Sequence, residues 1–388
     1  MLKDRRLFAV TLAGFCAFLN TYATQPLLPL LTDVFHATKV AVSLTVTATT
    51  VAVAMAAPVI GALADTLGRK RIIVPATFGL AVPTLLAATS PSLHALVAWR
   101  FVQGLFMPAI FAVTVAYVSE EWAGQGVGRA TAAYVTGTVL GGFCGRLISG
   151  TVAEHWGWRA SFVVLGLLTL VCGVAIAVAL PLARRWRPGE GARVQVRAIG
   201  DHLRNRRLLA TYAIGFNVLF SLIATFTYVT FHLAGPPFRL STGALGSVFF
   251  VYLLGVVVTP VAGRWIDRYG FRLVLAAAMT AAAGGVLLTL APALWAVIAG
   301  LAICSSGVFV TQAAANTYIG VAADRSRAAA VGLYVACYYT GGAFGGFVPG
   351  MLWQHGGWPG CVALVAVMQL ATVLFALAYW GHDEAPRR

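Results

Sequence analysis

Long apolar runs, interrupted at short turns rich in charge, Gly, Pro, His or Trp, occupy almost the whole chain. They predict twelve spans at roughly 7–31, 41–63, 72–90, 93–118, 130–151, 159–181, 208–233, 242–263, 273–291, 293–320, 329–351 and 360–380. A hydrocarbon core of ~30 Å asks for ~20 apolar residues per crossing, and only helices or closed barrels satisfy the backbone there. These runs are continuous, so they are read as helices. The first, from Leu7 to Leu31, follows Lys3, Arg5 and Arg6 as a signal peptide would, but it is longer than the usual ~7–15-residue apolar core of such peptides and is expected to be a retained span.

Polar positions divide by side. Of the 27 Lys and Arg, all but five fall in the termini or in the loops that follow even-numbered spans; the exceptions are Lys39, Arg159 and Arg239 in the opposite loops, and Arg100 and Arg146 inside spans. Such asymmetry sets orientation, so both termini are expected in the cytoplasm. The segment 182–207 carries eight arginines and no apolar period. It is read as a cytoplasmic connector between a six-helix unit at 1–181 and another at 208–388, either merely solvated or attracted to anionic headgroups.

Composition agrees: 60% hydrophobic against 10% charged residues excludes a soluble multidomain protein, and a net charge of +15 held in short loops does not point to nucleic acid. The six cysteines stand singly in apolar runs, and the seven histidines lie near loops without an i, i+4 pair. Free thiols, no metal and no cofactor are therefore expected. No phosphate-binding loop occurs, and the spans hold no nucleophile, acid pair or ligand set of an enzyme.

The chain repeats itself. Gly61, Asp65, Gly68 and Arg69-Lys70-Arg71 form a charged turn between two spans, and Gly263, Asp267, Gly270 and Arg272 echo it 202 residues later. Gly141, Gly142, Gly145, Gly150, His155, Gly157 and Trp158 return 200 residues later as Gly341, Gly342, Gly345, Gly350, His355, Gly357 and Trp358. A duplicated six-helix unit with both copies starting on the same side is a recurrent plan of secondary transporters. The glycines suit a tight turn and close helix approach, and Asp65 can pair with the cations beside it or accept hydrogen bonds from a neighbouring helix N-terminus.

The stretch Gly61-Ala62-Leu63-Ala64-Asp65-Thr66-Leu67-Gly68-Arg69-Lys70 resembles the signature loop of the major facilitator superfamily, from which it departs only at Thr66. That resemblance implies an all-α membrane protein with the major facilitator fold, twelve transmembrane helices in two pseudo-symmetric six-helix bundles. It also implies a conformational gate at Gly61, Asp65, Gly68, Arg69 and Lys70, with Asp267 and Arg272 in the second copy.

Two further elements look like those of the drug:proton antiporters of this superfamily. Arg100 and Gly104 in the fourth span resemble an Arg-x-x-x-Gly element tied there to proton transfer. Gly137, Gly141, Gly142 and Gly145 resemble the antiporters' glycine motif, with Gly142 in place of its proline and Arg146 in place of its last glycine. From the residues alone, Arg100 either meets a partner or cavity or snorkels to an interface, since a charge in hydrocarbon costs ~2.5–3.5 kcal/mol. The glycines serve bending or plain close packing. Arg146 needs a counter-charge, yet all twelve acids lie in loops or at span ends. Asp33 is the candidate, as an outer latch or protonation switch; otherwise Asp33 and Arg146 are separately hydrated rim charges.

In the superfamily the first, fourth, seventh and tenth spans line the substrate cavity, which nominates Asn20, Tyr22, Gln25, Gln103, Met107, Asn217, Tyr228, Gln312 and Asn316, with Tyr338 from the eleventh. Such amides and phenols also simply bridge helices. The expected protein is a monomeric carrier in a bacterial-type inner membrane, exporting small organic molecules by alternating access in exchange for protons. A sugar, amino-acid or organic-anion carrier, working as exporter or importer, and a non-transporting sensor stay open beside it.

Overall fold

A computed structural model describes residues 2–122, 126–182, 200, 202–323 and 327–381, the side chains of 2–4, 61–62, 65–66 and 327–328 excepted. Most of the connector expected at 182–207, namely 183–199 and 201, lies outside the described residues. Among those described, all regular structure is helical. Among the described residues, ten helical stretches are long and apolar enough to cross a membrane.

The two longest, α6 (Val127–Ala179) and α12 (Arg327–Tyr379), have 53 residues each, about 80 Å of helix and more than two bilayer cores. Each breaks once, at Gly157 (φ 82°) and Gly357 (φ 56°), in backbone regions that favour glycine. Each therefore supplies two spans, and the total is twelve as the apolar pattern predicts. Six more are α3 (Lys39–Leu67), α4 (Arg69–Ala87), α5 (Leu93–Glu121), α7 (Arg206–Ala234), α10 (Phe271–Leu288) and α11 (Leu294–Ala322).

Two spans predicted as unbroken are interrupted. The first runs as α1 (Leu2–Thr21), a 3-10 turn (Gln25–Leu27) and α2 (Leu28–Phe35). Pro26 and Pro29 explain the break, because each lacks an N–H and clashes with the carbonyl four residues back. The eighth runs as α8 (Thr242–Val248), a 3-10 stretch (Phe249–Leu253) and α9 (Leu254–Tyr269), and no proline marks that interruption.

The chain divides into two compact units, Met1–Gly189 with Leu240–Phe249, and Glu190–Arg239 with Phe250–Arg388. In the first, α1 packs on the N-terminal half of α6 through backbone. A methyl on Gly137, Gly141 or Gly145 would strike the carbonyls of Thr11, Phe15 or Leu19, so three contacts repeat every four residues along both helices. In the second unit, Gly341 and Gly345 approach the carbonyls of Phe216 and Phe220 on α7 in the same way. These positions carry close packing, one of the two uses left open by the sequence.

The segment Leu240–Phe249, expected with the second six-helix unit, groups with the first for a similar reason. Gly150 and Gly246 let its backbone meet α6, and Glu154 accepts hydrogen bonds from the Gly243 amide at 2.8 Å and the Ser241 hydroxyl at 3.1 Å.

Candidate functional site

The break in the first span organises the polar interior of the first unit. A helix end leaves its last carbonyls without intrahelical donors, and lipid supplies none. Arg100 on α5 supplies them: its guanidinium donates to the carbonyls of Asn20 at 2.8 Å and Thr21 at 2.6 Å, while Nε donates to the Thr45 carbonyl on α3 at 3.1 Å. It also donates to the side-chain oxygen of Gln103. Arg100 is only 1% exposed, so of the two placements open from sequence the structure has the partnered one. Its hydrogen bonds go to carbonyl and amide oxygens, which makes it the donor that holds the broken span in place.

Gln103 passes the connection on, donating to Thr84 on α4 at 3.1 Å. Asn20 donates to Thr169 in the C-terminal half of α6 at 2.9 Å and lies 3.4 Å from the Thr84 hydroxyl. Met107 accepts from the Thr21 hydroxyl at 3.4 Å. Asn20, Gln103 and Met107, nominated for a substrate cavity, are thus committed to ties among α1, α4, α5 and α6.

On the other side of the break stands Arg146, also 1% exposed. Its Nε donates to the Gln25 side chain at 2.7 Å and a terminal nitrogen donates to the Gly142 carbonyl at 2.6 Å. The guanidinium carbon lies 4.9 Å from the Tyr22 ring centroid and 4.6 Å from that of Phe249, a cation held between two aromatic faces. Ser149 donates to the freed Ala23 carbonyl at 2.6 Å. The latch expected between Arg146 and Asp33 is absent: Asp33 is exposed on α2, and Gln25 takes the guanidinium instead. The eight-residue α2 carries Asp33 beyond the break, whereas Arg146 is drawn to the break itself.

In the second unit the nominated residues divide. Asn217 donates to the Met368 carbonyl at 3.4 Å and Tyr228 to the Gly346 carbonyl at 2.7 Å, and both are buried. Gln312 and Tyr338 are half-buried and Asn316 is exposed. Tyr338 stacks on Tyr334 with ring centroids 6.0 Å apart.

The repeated charged turns have different chemistry. In the first, Gly68 (φ 87°) turns the chain into α4, and Arg69 forms a two-pronged ion pair with Glu120 on α5 at 2.6 and 3.2 Å. Lys70 donates to the Ala177 carbonyl at 2.9 Å, and Arg6 pairs with Glu121 at 3.5 Å. Gly61 and Asp65 fall within α3, but their side chains lie outside the described residues. In the second turn, Gly270 (φ 78°) leads to Phe271, which is 2% exposed and meets Tyr318 edge-on at 5.6 Å. Tyr318 in turn stacks on Trp380 at 4.0 Å. Asp267 is exposed and Arg272 half-buried.

Sequence reasoning missed Glu120, Thr45, Thr84, Ser149 and Thr169. Glu120 was visible only as an acid at a span end, 51 residues from Arg69. The others act through hydroxyls and backbone carbonyls, which leave no spacing signature.

A sequence profile of the Major Facilitator Superfamily matches residues 10–250 and 230–388. The chain is 32% identical over 368 residues to the "Uncharacterized MFS-type transporter YybF" of Bacillus subtilis, covering 94% of this chain and 91% of that one. It is 31% identical over 372 residues to the inner membrane transport protein YnfM of Escherichia coli, covering 95% and 89%. Among solved structures, the nucleoside transporter NupG (D323A mutant) superposes with a TM-score of 0.78 at 14% identity, over 97% of this chain and 100% of that one. The human organic anion transporter MFSD10 gives 0.74 at 18%, over 96% and 99%. At those identities the structures speak for the fold. The sequence profile, the relatives and the twelve-helix fold agree, and the chain belongs to the Major Facilitator Superfamily of membrane transporters.

Proposed function

We propose that the protein exports small organic molecules in exchange for protons, by alternating access, in a bacterial-type inner membrane with both termini cytoplasmic. The observation that carries a transport site is the interruption of the first span at Tyr22–Leu27, bracketed by two buried arginines. Discontinuous membrane helices are where transporters form their substrate sites, because unwound backbone is tolerated only in protein or beside a cavity. Tyr22 and Gln25 at the break are the proposed substrate contacts of the first unit, and Gln312, Asn316 and Tyr338 are those proposed for the second. Arg100 and Gln103 are proposed as the positioning pair.

Support for export in exchange for protons comes from the resemblance of the Arg100 and Gly137–Gly145 elements to those of antiporters. Since the acids sit at span ends, protons would enter and leave through rim carboxylates such as Asp33 or Glu154. A second reading, carriage of an organic anion, is favoured by Arg146 between Tyr22 and Phe249, which offers positive charge inside the first unit. Reconstituted vesicles under an imposed pH gradient test both. An acidic outside should drive export of neutral or amphipathic compounds from the cytoplasmic side. Movement independent of the gradient removes proton exchange, and preference for anions in a mixed panel selects the second reading.

A further inference from the structure

The second unit carries an apolar groove of about 320 Å³, lined by Trp265 and Tyr269 of α9, Leu273, Ala277 and Ala281 of α10, and Val310 of α11. Its volume is at the lower end of the ~300–1,000 Å³ usual for small-molecule sites. Two aromatic residues stand at its arginine-rich end, Trp265 46% and Tyr269 51% exposed, the depth at which membrane proteins collect Trp and Tyr. Three arginines adjoin lining residues in the chain, Arg264 beside Trp265, Arg268 beside Tyr269 and Arg272 beside Leu273, and the same turn offers one carboxylate, the exposed Asp267. None of the three arginines forms an ion pair among the described residues; the Arg268 guanidinium lies 5.2 Å from the Tyr269 ring centroid at the mouth.

The equivalent turn of the first unit is built differently. Its Arg69 and Lys70 are engaged by Glu120 and the Ala177 carbonyl, and Leu63 and Leu67 stand 202 residues before Trp265 and Tyr269. Among the described residues, the turn of the second unit thus joins an apolar trough to cations that form no ion pair.

We propose that this groove holds an anionic phospholipid from the arginine-rich leaflet, one acyl chain along Leu273, Ala277 and Ala281 and its phosphate at Arg268 and Arg272. Charge complementarity selects that occupant: an acyl chain satisfies the trough, and a phosphate that carries net charge satisfies the cations, as juxtamembrane basic residues attract anionic headgroups. A zwitterionic lipid fills the trough equally well but presents a compensating ammonium group to the arginines.

Trp265 is a built-in reporter. The full-length protein is reconstituted with acyl-brominated phosphatidylglycerol or acyl-brominated phosphatidylcholine, and the fluorescence lost in wild type but not in Trp265→Phe is assigned to the groove. Half-maximal quenching is expected at a mole fraction at least threefold lower for the glycerol lipid. Arg268→Gln with Arg272→Gln should bring the two lipids to parity, and the double lysine variant should restore the preference. Ala277→Phe, which fills the trough with the charges intact, should weaken quenching by both. Equal quenching by the two lipids in wild type would mean ordinary bulk lipid covers this face and overturns the proposal, as would a preference that survives the double glutamine change. Native mass spectrometry of the detergent-solubilised protein with phosphatidylglycerol gives a second readout: a retained adduct, lost with the double glutamine variant, is expected, and no adduct in wild type counts against the site.

Discussion

The two units share a seam and differ at their turns. Both press a glycine-lined helix against the carbonyls of a partner helix, Gly141 on Phe15 in one and Gly341 on Phe216 in the other. At the Gly68 turn, however, the contact is ionic, Arg69 with Glu120, whereas at the Gly270 turn it is aromatic, Phe271 with Tyr318 and Trp380. An ion pair is directional, weakened by salt and lost when one partner is neutralised; an aromatic stack depends on buried area and little on ionic strength. The first unit also buries two arginines around a broken span, while α11 carries only the apolar Leu301 and Ile303 near the place equivalent to Arg100, the first buried and the second exposed. The shared geometry is therefore held in backbone, and the chemical asymmetry in side chains.

The largest expected effect tests what the units share. Gly141→Leu and Gly341→Leu should each abolish folded protein, since the added side chain meets main chain that cannot yield; membrane yield and monodispersity on size exclusion read this out. A folded Gly341→Leu beside an unfolded Gly141→Leu would break the equivalence of the seams. Next comes Arg100→Leu, which removes the donor from the Asn20 and Thr21 carbonyls at ~1–3 kcal/mol per unmet buried group. It should lower the melting temperature and reduce transport at least tenfold in vesicle assays, while Ile303→Ala leaves both nearly unchanged.

The turns themselves come third. Arg69→Gln should cost ~1–3 kcal/mol by stranding the Glu120 carboxylate, a loss that shrinks in high salt because the wild-type pair is itself weakened. Phe271→Leu should cost under ~1.5 kcal/mol with no salt dependence. Thermal melts of both variants across a salt series compare the two directly. Asp267→Asn should be the mildest, with accessibility of a reporter cysteine at the Gly270 turn unaltered, because the carboxylate is exposed and makes no ion pair among the described residues.

Much of the architecture was legible because it depends on composition over long windows. Twelve apolar runs became twelve spans, and the 200-residue repeat of glycines became matching contacts against Phe15 and Phe216. The hinges at Gly157 and Gly357 fell where the pattern placed the turns before Trp158 and Trp358. The broken first span was less legible, although Pro26 and Pro29 were its signal, because its apolar run continues from Leu7 to Leu31. The eighth span breaks at Phe249–Leu253 with no proline at all. Least legible were partners: Arg100 is satisfied largely by main-chain oxygens, which every residue owns, and Arg69 by a carboxylate 51 positions away. The expectation of Asp33 for Arg146 sought a charge, whereas the buried guanidinium found an amide and two rings.

The seam between α1 and α6 has a consequence for redesign. Because its closest contacts are between glycines and carbonyl oxygens, they do not depend on which side chains stand at Thr11, Phe15 and Leu19, and Phe15 and Leu19 need only stay apolar for the cluster beside them. A combinatorial library that keeps Gly14, Gly137, Gly141 and Gly145 and the apolar character of Phe15 and Leu19, but varies the remaining faces of both helices, would leave the joint intact. New ligand specificities could then be selected on a scaffold whose assembly does not have to be rediscovered with each variant.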